Sequence, residues 1–334
     1  MATVVISQDE VARLLPMREC IDLMADALAA LTRGDALLPL RSMLRLPNSP
    51  NIFATMPAFS APVKAVGVKV LTVFPENHGG EYDSHQGAVL LFETENGTLQ
   101  AVIDATAITM IRTAAVSALA TRLLAVEDAT ELAILGAGTQ AHSHLEAIPL
   151  VRPIERVRIW SRNSDHARAL AEVAVSRGLT AVMAPNAKQA VSGAHVVCTV
   201  TASADPVLEG AWLAPGAHVN AVGACTPRAR ELDTEAVARA RVFVDRRESA
   251  LAEPGDLLIP MKEGAIDASH IVAEIGEVVA GTAKGRRSAE EITIFESLGI
   301  AVEDLAAAHY VHRAALNEGL GTTVELGGRR HAHY

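Results

Sequence analysis

The chain has 334 residues, enough for about two domains, and a net charge of −10 that argues against bulk binding to nucleic acid or an anionic membrane. Half of it is hydrophobic but only 3% is aromatic, so its cores must be built mainly from Ala, Val, Leu and Ile. Three scattered cysteines, Cys20, Cys198 and Cys225, exclude a disulfide framework and give no zinc pattern; no metal site is expected, and the expected compartment is the reducing cytoplasm.

Thr3–Ile6 reads as a strand, and Ser7 with Glu10 as the capping box of a short helix. A second helix runs from Glu19 to Leu31 and stops at Gly34. Its apolar positions Ile21, Met24, Leu28 and Leu31 recur at helical spacing, which marks them as core. From Leu37 to Val102 the texture changes to short alternating strands: Leu38–Leu46, Ile52–Ala58, Ala65–Phe74, Gln86–Glu93 and Leu99–Asp104. Asn48–Asn51 and Glu95-Asn96-Gly97 supply turns. This predicts a separate, largely antiparallel sheet. Ala107–Leu124 follows as a long helix. No apolar run reads as a membrane span, and no signal peptide precedes the first strand.

At Leu132–Leu135 an apolar run is broken by Gly136 and Gly138, and helical spacing resumes from Gln140 to Ile148. A strand, a tight glycine turn and a helix start are the context a dinucleotide site requires. Gly136 lets the chain turn and Gly138 lets the backbone approach a pyrophosphate. Thr139 and Gln140 open a helix whose positive end faces that anion. Ala141 takes the third glycine's place. Apolar runs at Val157–Trp160, Ala181–Ala184, His195–Val200, His218–Gly223 and Val242–Asp245 alternate with helical segments at Asp165–Ser176, Ala187–Ser192 and Thr234–Ala240. The alternation predicts a doubly wound parallel sheet.

After the sixth strand, Ala252–Leu257 reads as a turn, and helices are expected at Ile271–Ala280 and, after Thr293–Gly299, at Glu303–Glu318. A last apolar helix returning to the first domain makes that domain discontinuous: residues 1–122 with 306–330 around a cofactor domain of 123–305. Residues 327–334, with their His-x-His, are expected to be a disordered tail.

Where many NAD-binding folds carry an acid for the ribose hydroxyl, this chain has Ser161-Arg162-Asn163. Arg162 can pair with a 2′-phosphate, and Ser161 and Asn163 can hydrogen-bond it. A solvated surface arginine is the rival reading. The missing acid favours NADP(H), with NAD(H) possible.

Pro39-Leu40-Arg41, Met56-Pro57-Ala58, Gly67-Val68-Lys69, Ser84-His85-Gln86-Gly87, Ala105–Thr109 running into Arg112–Ala115, Gly136–Ala141, Asn220–Ala224 and Ser297-Leu298-Gly299 occur in this order along the chain. Together they resemble the ornithine cyclodeaminase/mu-crystallin family over nearly the whole chain. The resemblance implies an α/β fold, a Rossmann doubly wound parallel sheet plus a second α+β catalytic and dimerisation domain. It also implies a homodimer acting on amino or imino acids.

It further implies that Arg41, Lys69 and Arg112 hold the substrate carboxylate, the first with Arg45 as a competitor. Lys69 stands in an apolar strand where an unpaired ammonium is costly; for Arg112 a buried structural salt bridge is the rival role. Ser84 and His85 resemble a loop that reaches the cofactor, Ser297 is placed near the nicotinamide, and Thr199 lines the cofactor cleft. Met56 and Phe74 are unplaced candidates for the pocket wall.

Ornithine cyclodeaminases carry an acid where this chain has Cys225 and another where it has Thr55. Both absences turn the reading from ornithine to the mu-crystallin and ketimine reductase branch. The expected activity is NAD(P)H-dependent reduction of a cyclic imino acid such as 1-pyrroline-2-carboxylate or 1-piperideine-2-carboxylate. Lys69 and Arg112 are the catalytic candidates. An ornithine cyclodeaminase, an alanine-type dehydrogenase and a non-enzymatic NADPH-binding protein are the alternatives.

Overall fold

The computed structural model describes residues 2–77 and 80–327. The chain forms two compact units, one made of residues up to Arg112 with those from Ile300 onward, the other of Thr113–Gly299. These joins fall earlier than the boundaries at 122 and 305 read from the sequence. Seven of the eight residues of the expected tail lie outside the described residues.

The first unit begins with β1 (Ala2–Ile6), α1 (Gln8–Leu14) and α2 (Met17–Arg33). The capping box forms, with the Ser7 amide donating to Glu10 Oε2 at 2.8 Å. Gly34 closes α2 at φ 80°, a left-handed value that suits glycine. Then come β2 (Ala36–Leu37), β3 (Ser42–Arg45), β4 (Ile52–Ser60), β5 (Ala65–Val73), β6 (His85–Glu93), β7 (Leu99–Asp104) and α3 (Ala105–Leu124). The strand expected over Leu38–Leu46 is therefore reduced to β3, with β2 ending before its start. Pro39 has no N–H to give a ladder, and Arg41 stands in the irregular segment between them.

By length and composition α3 is apolar enough to cross a bilayer, a correction to the reading that no such run exists. It is a buried core helix here. Its small Ala, Thr and Ser residues allow close packing along most of its length, with Arg122 exposed near its end.

The second unit continues with β8 (Glu131–Leu135), α4 (Thr139–Ala147), β9 (Arg156–Trp160), α5 (Ser164–Ser176), β10 (Thr180–Met183), α6 (Ala187–Val191), β11 (Val196–Thr199) and β12 (His218–Ala221). It ends with α7 (Thr234–Arg239), β13 (Arg241–Val244), α8 (Arg247–Ala250), α9 (Gly255–Lys262), β14 (Ile271–Glu274), α10 (Ile275–Val279) and β15 (Thr293–Glu296). Its eight parallel strands lie in the order β10-β9-β8-β11-β12-β15-β13-β14.

Three expectations change. Ile271–Ala280 begins as a strand rather than a helix, the turn expected at 252–257 runs into α9, and β15 inserts between β12 and the strand read as sixth. Short apolar runs such as Ile-Val-Ala fit a buried strand or a buried helix equally well. Because every strand is parallel, the residues after β8, β9, β11, β12 and β15 share the carboxyl edge where α/β sheets bind ligands.

The chain then returns to the first unit with α11 (Ala301–Glu318) and β16 (Thr322–Glu325), which pairs with β1. The sheet order there is β16-β1-β7-β6-β5-β4-β2, with β3 on β4; β1 and β7 are parallel and the other pairs antiparallel. One face, carrying Ala54, Met56, Ala58, Lys69, Val89 and Leu91, is buried against helices. The opposite face, carrying Phe59, Val66, Val68, Leu90 and Phe92, is apolar yet partly exposed.

Candidate active site

Lys69 lies mid-strand in β5, opposite Met56 on one side and Val89 on the other. Strand alternation therefore turns it to the helix-covered face, where it is 3% exposed. Arg112, on α3, is equally buried. Both meet the first turn of α11. Lys69 Nζ is 2.8 Å from Asp304 Oδ2, Arg112 Nε donates to Asp304 Oδ1 at 3.0 Å, and Arg112 Nη1 donates to Glu303 Oε2 at 2.8 Å.

The two acids suit that position for a second reason, since carboxylates are favoured at a helix N-terminus. Sequence reading missed both. The available signal was an adjacent acidic pair inside the apolar run Ala-Val-Glu-Asp-Leu-Ala, because buried acids demand partners.

The rival reading of Arg112, a buried salt bridge, is thus present in the structure, and Lys69 shares it. Lys69 also donates to Thr109 Oγ1 at 3.4 Å, and an ammonium has three N–H groups. Burial pushes the Lys69 ammonium down to about 8, against the pull of Asp304 and with the push of Arg112 and Arg41. Asp304 is held below the usual carboxylate range: burial raises it, but the Arg112 and Lys69 charges outweigh that.

Arg41 thus belongs to the same cluster. Continuing the β3–β4 register by one residue sets it across from Met56, which itself faces Lys69. Arg45 is exposed at the far end of β3. His85 opens β6; its surroundings and the Lys69 charge hold its imidazole below the ordinary value, and its Nδ1 is 3.0 Å from Ser84 Oγ. Arg41, Lys69, Ser84, His85 and Arg112 therefore all fall in the first unit. Thr55 faces away from Lys69, on the outer side of the sheet, so its identity says little about this cluster. Met56 sits on the Lys69 face, and Phe74 follows β5.

The glycine turn in the second unit is built as expected. Gly136 has φ +123°, and a Cβ there would lie 2.6 Å from the Val200 carbonyl oxygen, so only glycine fits. Gly138 is the residue before α4, and nothing approaches its Cβ position within 4 Å. The protein does not demand glycine there, and the open space lies at a helix N-terminus with no side-chain cap. Those features, followed by Thr139 and Gln140, fit a pyrophosphate.

After β9, Ser161 is half-buried and Arg162 exposed. Asn163 has a further duty: its Oδ1 caps α5, accepting from the amides of Asp165 at 3.0 Å and His166 at 3.3 Å. Asp165 pairs with Arg168. Thr199 ends β11, buried beside the Glu231 carboxylate, and Ser297 follows β15, its hydroxyl buried with no hydrogen-bond partner among the described residues. Cys225 is half-buried with Sγ 3.6 Å from the Val222 carbonyl oxygen. No cluster of metal-ligating side chains occurs among the described residues.

Several known proteins are similar to this chain. A family model described as the ornithine cyclodeaminase/mu-crystallin family matches residues 1–319. The Delta(1)-pyrroline-2-carboxylate reductase of Bacillus cereus is 38% identical over 324 residues, 96% of this chain and 99% of its own length. The ketimine reductase mu-crystallin of Mus musculus is 41% identical over 279 residues, 84% of this chain and 85% of its own. The structure of Thermococcus litoralis Delta(1)-pyrroline-2-carboxylate reductase, in complex with NADH and L-proline, matches with a TM-score of 0.94 at 36% identity, covering 96% of this chain and all of that one.

Proposed function

Since the chain belongs to the ornithine cyclodeaminase/mu-crystallin family, we propose that it is a NAD(P)H-dependent reductase of cyclic imino acids, acting on 1-pyrroline-2-carboxylate or 1-piperideine-2-carboxylate. The observation that carries this reading is the cluster of half-buried Arg41 with buried Lys69 and Arg112, the latter two held in place by carboxylates of α11. Its guanidinium and ammonium donors suit a small carboxylate, and fixing that group orients the attached imine.

The glycine turn at Gly136–Gln140 would hold the nicotinamide cofactor, which would supply the hydride. Arg41 and Arg112 hold the carboxylate, and Lys69, whose ammonium is poised near pH 8, gives the ring nitrogen its proton. NADP(H) is the preferred cofactor in this reading, supported by Arg162 after β9 and by the engagement of the nearest acid, Asp165, with Arg168. Ornithine is a poorer fit. Its second ammonium would call for a carboxylate, and Glu303 and Asp304 are committed to Arg112 and Lys69. The working form is a homodimer joined through the outer face of the β4–β6 sheet, a reading supported by that face's apolar side chains.

The test is to follow NADPH absorbance with the purified protein and each imino acid, then with NADH, and with ornithine plus NAD. Oxidation of NADPH that is lost in Lys69→Ala and Arg112→Ala supports the reading. Proline and ammonia formed from ornithine would replace it with a cyclodeaminase.

A further inference from the structure

Asp304 stands between the two buried cations, one oxygen 2.8 Å from Lys69 Nζ and the other 3.0 Å from Arg112 Nε. All three side chains are almost completely buried. A carboxylate with one oxygen on each partner sets the distance between them, so neither cation can move without breaking a charged contact. Glu303 takes the Arg112 Nη1 group and fixes the plane of the guanidinium from the neighbouring position on α11.

We propose that Asp304 is a positioning residue for imine reduction: it locks Lys69 and Arg112 into one rigid pair and keeps on Lys69 the proton that the reaction consumes. This rests on the reductase reading above. In the step itself the hydride forms the new C–H bond, the C=N electron pair moves to nitrogen, and nitrogen takes a proton from Lys69 Nζ. The lysine is left neutral and is recharged from water.

The charges around Lys69 explain why a second residue must hold that proton. Arg112 faces it from α3, Arg41 from the segment before β3 and His85 from β6, and β4 offers only Met56. The two arginines and the loss of water all disfavour an ammonium; Asp304, from α11, opposes them.

The experiment compares the pH dependence of kcat and kcat/KM in the wild-type protein, Asp304→Asn and Asp304→Glu. In the wild type, kcat/KM is expected to fall as pH rises through about 8. Removing the countercharge in Asp304→Asn should move that alkaline limb down by about two pH units, with kcat at neutral pH falling about tenfold and recovering on acidification. Asp304→Glu keeps the charge but shifts the contact, so kcat should fall with the limb in place.

A parallel calorimetric titration uses pyrrole-2-carboxylate, a planar ring carboxylate, as probe; its binding should be lost at lower pH in Asp304→Asn than in the wild type. An unmoved limb in a folded Asp304→Asn would overturn the proposal, as would wild-type kinetics in Asp304→Glu should the Asn variant not fold. A wild-type protein inert towards imino acids would sink the reductase reading instead, and the binding arm would still report on Asp304.

Discussion

Gly136 and Val200 meet across the first turn of the dinucleotide-binding unit with room for a hydrogen and none for a methyl. A Cβ on Gly136 would come within 2.6 Å of the Val200 carbonyl oxygen, and the residue's φ of +123° is itself closed to other side chains. Gly138, two residues on, has an ordinary φ of −91° and open space beside it. The two glycines should therefore fail differently. Gly136→Ala is expected to cost about 2 kcal/mol or more in stability. Gly138→Ala should melt like the wild type yet weaken NADPH binding about tenfold or more, because its methyl occupies the space a phosphate needs. Thermal melts and fluorescence titration of NADPH separate the two. Equal behaviour would deny Gly138 a place at the pyrophosphate.

Arg162 decides between the two nicotinamide cofactors in the proposed reading. Arg162→Ala is expected to raise the KM for NADPH about tenfold while leaving the KM for NADH nearly unchanged, since only one of them carries a 2′-phosphate. Steady-state rates with each cofactor measure this. A parallel rise in both would make Arg162 a general adenosine contact.

The second unit buries several carboxyl groups near the carboxyl edge of its sheet. Burial and the Glu231 charge push Asp256 up to about 8, and burial with the charges of Asp256, Asp245 and Glu231 raises Glu296 well above its usual range. A carboxyl group whose folded value exceeds its unfolded one binds more protons when folded. Its contribution to stability is complete below the unfolded value near 4 and is lost as pH rises towards 8. Asp256→Asn preserves an oxygen for the Glu231 and Leu232 amides that Asp256 Oδ1 now accepts. It should raise the melting temperature at pH 9 by about 2–4 °C or more relative to the wild type and flatten its dependence on pH. A variant with the wild-type slope would place the titration elsewhere.

The outer face of the β4–β6 sheet gives the test of assembly. Val68 stands at its centre, flanked by Pro57 and Leu90 on the neighbouring strands. Light scattering is expected to find a dimer for the wild-type protein and a monomer for Val68→Arg, because a buried unpaired guanidinium in an apolar interface costs several kcal/mol. A Val68→Arg dimer would move the interface away from this face.

Local pattern carried much of this protein. The glycines after β8, the alternation of strands and helices, and an ammonium in the middle of apolar β5 are all written in consecutive residues, because backbone conformation and side-chain face follow from spacing over a few positions. Local pattern does not settle β14 and β15 for the same reason, since a four-residue apolar run fits more than one element. Asn163, a candidate cofactor contact, carries a second duty as the cap of α5 that only the folded helix shows. Glu303 and Asp304 are the clearest case. Arg112 on α3 lies 191 and 192 residues before them and Lys69 on β5 lies further back still, and only the return of α11 to the first unit brings the four together. The sequence by itself determined that a cation had to be compensated inside β5. Tertiary structure decided what compensates it, because a buried charge selects its partner by distance in space and not by distance along the chain.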